Sequence, residues 1–154
     1  KVEARIDTEI NLMIKGFIPN EYIPDLNQRL DFYRRIQIAS DRNECMKLSR
    51  EMSDRFGPCP EPVEKLLALL EIRVLCQRLH ISKAQMKNGE VFLTLLPSTP
   101  LRAEDLTTIL DGRLKMLSEF QIGILMERKG WQADLKMICE YLQKLSRSLT
   151  LKQV

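Results

Sequence analysis

Between Pro24 and Leu79 the apolar residues recur at helical spacing three times in succession, and from Ile81 onward they tend to alternate. That switch of period limits the folds open to the chain more than any other feature. Pro24 and Asp25 open a first helix that runs to about Ala39, with Leu26, Leu30, Tyr33 and Ile36 or Gln37 as its inward stripe. Ser40 or Asp41 caps a second, from Arg42 to Phe56. Glu44, three residues after Asp41, completes a capping-box pattern. Its stripe is Cys45, Leu48, Met52 and Phe56. Gly57 stands where a helix end favours a left-handed residue, and Pro58 and Pro60 prevent continuation. The third helix, about Glu61 to Leu79, carries Val63, Leu66, Leu67, Leu70, Val74 and Leu75 on one side. Leu69, Ile72, Cys76 and Leu79 widen that stripe beyond half the circumference, so this helix is expected at the centre of the helical part.

The rest reads as strands with a closing helix. Ile6 to Lys15 alternates. Ile81–Met86 and Val91–Leu96 flank Asn88-Gly89, a strong hairpin signal because both residues accept positive φ. A short helix is expected over Ala103–Leu110, strands over Lys115–Leu117 and Gln121–Met126, and a last helix from Trp131 to Leu145. Trp131, Leu135, Ile138, Leu142 and Leu145 give that helix its apolar face. From Ser146 on the pattern weakens into a tail. Runs of helices followed by runs of strands predict an α+β fold: an N-terminal three-helix portion packed with a small antiparallel β-sheet and C-terminal helices. The expected division is a linker or strand over 1–16, one α+β domain over 17–146, and a tail over 147–154. Residue 1 is Lys, so a longer parent is expected.

Reactive constellations are missing from the sequence. The four cysteines, Cys45, Cys59, Cys76 and Cys139, contain no C-x-x-C pair, and His80 is the one histidine. Zinc sites draw on closely spaced ligand pairs, so no metal site is expected. Reduced thiols and a reducing, cytoplasmic compartment are the reading instead. The glycines are isolated, which excludes a P-loop and a dinucleotide fingerprint. His80 follows an apolar helix, a place favoured by the helix dipole rather than one built for catalysis. No catalytic residue and no cofactor are assigned, and no apolar run is long enough for a membrane helix. The formal net charge is +3, from 24 Lys and Arg against 21 Asp and Glu, without a basic stripe. A nucleic-acid-binding accessory module is the alternative function; its binding would fall steeply with salt. Phe17, Tyr22, Phe32, Tyr33 and Phe56 read as core rather than as base-stacking platforms.

One string says more. Phe17-Ile18-Pro19-Asn20-Glu21-Tyr22-Ile23-Pro24-Asp25, followed by Arg29-Leu30 and Phe32-Tyr33-Arg34-Arg35, resembles the C-terminal domain of the bacterial transcription-repair coupling factor family. Asp54-Arg55-Phe56-Gly57, Pro60-Glu61-Pro62 and Leu79-His80-Ile81 continue the resemblance, with His80 where the family has Gly. The resemblance implies a regulatory, autoinhibitory domain with no ATPase motif of its own. Its parent would be an ATP-driven DNA translocase of helicase superfamily two that couples transcription to nucleotide excision repair. ATP and Mg would belong to the upstream motor, and RNA polymerase, UvrA and DNA would be the parent's partners. The domain would dock on the N-terminal UvrA-binding module of the same chain and mask it. The resemblance also makes Glu51 and Asp54, at i and i+3 of the second helix, the candidate partner interface: two carboxylates on one face that can meet arginines of the partner.

Overall fold

The computed structural model describes residues 6–151, and their side chains through residue 149. Residues 1–5 of the expected linker and 152–154 of the expected tail lie outside the described residues. In chain order the elements are β1 (Glu9–Asn11), α1 (Leu26–Ile38), α2 (Arg42–Phe56), α3 (Glu61–Arg78), β2 (Ile81–Lys87), β3 (Glu90–Leu95), a 3-10 turn (Ala103–Leu106), β4 (Leu114–Ser118), β5 (Gln121–Leu125) and α4 (Trp131–Leu151). The chain divides into two compact units. One is residues 14–74. The other joins the segment that ends at Met13 to the chain from Leu75 onward. The fold class is α+β, as the change of period predicts.

In the helical unit the caps follow from the sequence. The Asp25 side chain accepts the Gln28 N–H and Asp41 that of Glu44, each satisfying an amide with no partner inside its helix. Glu44 reaches back to the Ser40 N–H at 2.9 Å, so the box closes one residue earlier than on the cap itself. Gly57 ends α2 at φ +89 and donates its N–H to the Ser53 carbonyl at 3.0 Å. The core gathers Ile18, Ile23, Phe32, Ile36, Cys45, Leu48, Met52, Val63, Leu70 and Val74. The segment before α1 is tied to this core. Ile18 N–H donates to the Tyr33 hydroxyl at 2.7 Å, and Tyr22 Oη lies 3.0 Å from the Met52 carbonyl and 2.8 Å from that of Gly57. Gly16 crosses α3 so closely that a Cβ would collide with the Leu66 backbone. Only glycine allows that approach.

The inward stripe predicted for α1 is corrected in part: Ile36 is buried and Tyr33 packs against the core, but Leu26 and Leu30 do not face it. Leu26 and Leu30 are 57% and 56% exposed, while Phe32 is buried. Phe32 is two residues past Leu30, hence about 200° round a 3.6-residue helix, and the larger ring takes the core side. Arg29 fixes that rotation by donating to the Ile23 and Pro24 carbonyls. Phe17 is also exposed, not core.

The other unit is built on a five-stranded sheet of order β1-β2-β3-β5-β4. The hairpin turns at Asn88-Gly89, both with positive φ, and pairs Lys87 with Glu90. The sheet is mixed rather than antiparallel, because β1 runs parallel to β2 with Ile10 opposite Ala84. Its buried row is Ile81, Ala84, Val91, Leu93, Leu114, Ile122 and Ile124; α4 supplies Leu135, Ile138, Leu142 and Leu145. Two expectations change here. The helix expected over Ala103–Leu110 is a single 3-10 turn, and α4 continues past Leu145 to Leu151 with Ser146 buried. His80 holds φ +54 just after α3, the conformation for which glycine is the ordinary choice. Its Nδ1 lies 2.8 Å from the Ser98 hydroxyl.

Candidate functional site

The predicted interface residues lie on α2, and the structure treats them differently. Glu51 faces α1. Arg35 reaches it with a two-pronged fork, Nη1 to Oε2 at 2.7 Å and Nη2 to Oε1 at 2.9 Å. Arg55, one turn further along α2, donates Nη1 to Oε2 at 2.9 Å. The carboxylate therefore takes three charge-assisted bonds and is half-buried. The Arg35 hydrogen bonds come first among the causes that hold its pKa at about 2; burial opposes them next in size, and the Arg55 bond adds to the lowering. Arg35 is raised in turn, chiefly by its bond to Glu51.

Aromatic rings support this cluster from below. The Arg35 guanidinium carbon sits 5.1 Å from the centroid of the Phe32 ring. That of Arg55 sits 5.4 Å from Phe32 and 5.0 Å from Phe56. Phe32 and Phe56 meet edge to face at 6.0 Å, and Tyr22 tilts against Phe56 at 5.9 Å. A guanidinium over an aromatic face is attracted by the ring quadrupole, so the rings and the carboxylate fix both arginines together. The string from Tyr22 to Arg35 thus supplies core aromatics and one prong of a surface ion cluster. The sequence pattern gave the helix face of Glu51. It carried no sign of Arg35, because the partner lies 16 residues away on another helix.

Asp54 is exposed, and among the described residues no hydrogen bond or ion pair engages it. Arg50 is exposed as well. On the other flank of α2, toward α3, lies an open groove of about 340 Å³ lined by Cys45, Met46, Cys59 and Leu67. Arg42 and Glu71 pair across it. Among the described residues no disulfide joins the four cysteines: Cys45 and Cys76 are buried, Cys59 and Cys139 partly so. Burial pushes the Cys45 thiol up to about 11 and Cys76 higher still, which suits inert thiols rather than nucleophiles. Among the described residues no group of three or more His, Cys, Asp or Glu could hold a metal ion, and no helix is long and apolar enough to cross a membrane.

Residues 12–106 match the family model described as the TRCF domain. Curated relatives named transcription-repair-coupling factor include one from Escherichia coli (strain K12), 40% identical over 78 residues. One from Haemophilus influenzae is 32% identical over 108 residues, and one from Bacillus subtilis (strain 168) 30% identical over 136. These alignments cover 51%, 60% and 86% of this chain but only 7%, 9% and 11% of the relatives. A crystal structure titled as the C-terminal domain of transcription-repair coupling factor superposes with a TM-score of 0.85, over 97% of this chain and 98% of that one. At 18% identity that likeness concerns the fold alone.

Proposed function

The chain belongs to the TRCF domain family, and from that premise we propose that it is the C-terminal regulatory domain of an ATP-dependent DNA translocase that couples transcription to nucleotide excision repair. The observation that carries the proposal is the family match over residues 12–106. It contains the whole helical unit and the α2 surface with Glu51, Asp54 and Arg55. The domain docks on the N-terminal UvrA-binding module of its own parent and masks it. The ATP, Mg and DNA chemistry belongs to the rest of the parent, which acts with RNA polymerase and UvrA in the cytoplasm. This chain restrains and does not catalyse.

Masking is an equilibrium between docked and released forms. A motor state or a partner shifts it only by as much as its affinity differs between the two. Because the domain is tethered to its target, closure is intramolecular, and an interface weak in free solution suffices. A polar surface such as the exposed side of α2 suits reversible release, since charged rims tune association rate and salt sensitivity.

Competition tests the proposal. The 154-residue chain should bind the isolated N-terminal module and reduce its capture of UvrA as the chain is added. UvrA capture unchanged at saturating chain would contradict masking.

A further inference from the structure

The docking reading offers Glu51 and Asp54 to a partner as equals, and the geometry separates them. A carboxylate has about four acceptor positions, and three of those on Glu51 are filled from within the domain. Any cationic group approaching Glu51 first meets the half-exposed guanidiniums of Arg35 and Arg55. The three-residue cluster carries one net positive charge. Asp54 is the open carboxylate of this strip, within one helical turn of Glu51 and adjacent in sequence to Arg55.

We propose that Arg35 is a positioning residue of the docking surface. Its fork, reaching from α1, fixes Glu51 and through it Arg55, so that α2 presents one set pattern: an open carboxylate at Asp54 and an oriented guanidinium at Arg55. The partner that fits is a mixed-charge protein surface, with a carboxylate for Arg55 and a guanidinium or ammonium for Asp54. A polyanion of phosphates meets only half of this pattern and is repelled by Asp54. A purely basic patch is repelled by the two arginines. This inference rests on the docking reading and adds the chemistry of the partner to it.

Three features support a positioning role over a merely stabilising one. The bond is bidentate, which fixes orientation as well as distance. Both guanidiniums are stacked on Phe32, a fully buried ring, so the cluster is anchored to the core. And Arg55 is held from two sides, by Glu51 and by the rings, while part of its side chain stays exposed.

The test measures affinity of the 154-residue chain for the N-terminal module of its parent, with thermal midpoint and circular dichroism read on every variant. Arg55→Glu should weaken binding by at least ~tenfold, as loss of a charged contact with its partner group left unpaired does. Arg35→Ala should weaken it by about three- to tenfold, and Arg35→Lys, which keeps charge but cannot fork, should fall between Arg35→Ala and the native chain. The decisive variant is the double exchange Arg35→Glu with Glu51→Arg. It restores the α1–α2 ion pair in reverse and should regain part of the thermal midpoint lost in Arg35→Glu alone, yet it places a cation beside Arg55 and should leave docking weak. Docking recovered together with the midpoint would overturn the proposal, making the pair a prop alone. Native affinity in Arg35→Ala would overturn it equally. No binding by the native chain would remove the docking reading and this inference with it, an outcome seen in the control before any variant is compared.

Discussion

The two units of the chain solve the same problem, holding a surface in place, by different means. In the sheet unit the backbone does most of it, with fewer long-range side-chain ties. Strands pair through backbone ladders, bulged near Ser82 and Leu117, and Asp111 accepts the Arg113 and Leu114 amides and the Tyr141 hydroxyl. In the helical unit side chains do it across long sequence separations: Tyr33 to Ile18, Tyr22 to the end of α2, Arg73 to the Ile36 and Ala39 carbonyls, Arg35 to Glu51. A ladder tolerates many side chains, because its bonds belong to every residue alike. Side-chain ties do not, because each depends on one residue type. That contrast explains how a short string beginning at Phe17 can resemble a family, while the strands, legible as strands, name nothing.

The largest expected departure is in the helical unit. Phe32 is fully buried, meets Phe56 edge to face and carries both guanidiniums. Phe32→Ala should therefore cost about 4 kcal/mol in urea unfolding. A cost below about 1 kcal/mol would mean that the ring is not the anchor of the cluster.

A pair of glycines sharpens the contrast next. A Cβ at Gly16 would meet backbone of Leu66, whereas one at Gly123 in β5 would meet the ends of the Glu90 and Leu117 side chains. Flexible side-chain ends can move aside and backbone cannot. Gly16→Ala should destabilise by about 3 kcal/mol and Gly123→Ala by about 1 kcal/mol or less. The reverse order, read by the same unfolding curves, would break the comparison.

The smallest effect separates the two units by pH and salt. The folded pKa of Glu51 is lowered to about 2, and that of Asp111 is lowered too, first by the Leu114 amide. Carboxylates lowered on folding stabilise above their unfolded pKa and lose that contribution as pH falls. For Glu51 the loss spans the interval from about 4.5 to about 2. Glu51→Gln should thus flatten the acid limb of stability. Because arginine charges hold Glu51 at the surface, raising salt to ~1 M should shrink its share. The share removed by Asp111→Asn, set mainly by amide and hydroxyl donors, should change less. Equal salt sensitivity at both sites would contradict the distinction between charge-held and backbone-held carboxylates.

Much of this was legible in the chain. The helix limits near Asp25, Asp41 and Gly57 follow from capping chemistry, and the hairpin from Asn88-Gly89. The facing of α1 was legible only in part: Tyr33 and Ile36 lie where the stripe put them, but Leu26 and Leu30 compete with Phe32 for the core, and the tie that decides it runs from Arg29 to backbone carbonyls. The parallel pairing of β1 was hidden for a similar reason: alternation marks a strand but not its neighbour. At the candidate site, helical spacing placed Glu51 and Asp54 within one turn. It could not reveal that Arg35 claims one of them and leaves the other open, since a tertiary ion pair has no period.

The most direct measurement is a calorimetric titration of the 154-residue chain into the isolated N-terminal module of its parent, run with the native chain and with Asp54→Arg. Asp54 is exposed and takes no part in the core, so the variant should fold like the native chain. Docking through α2 predicts native binding that weakens with salt and falls about tenfold in the variant. Equal affinity for both proteins, or no binding of the native chain at two temperatures, would contradict the assignment of α2 as the docking surface.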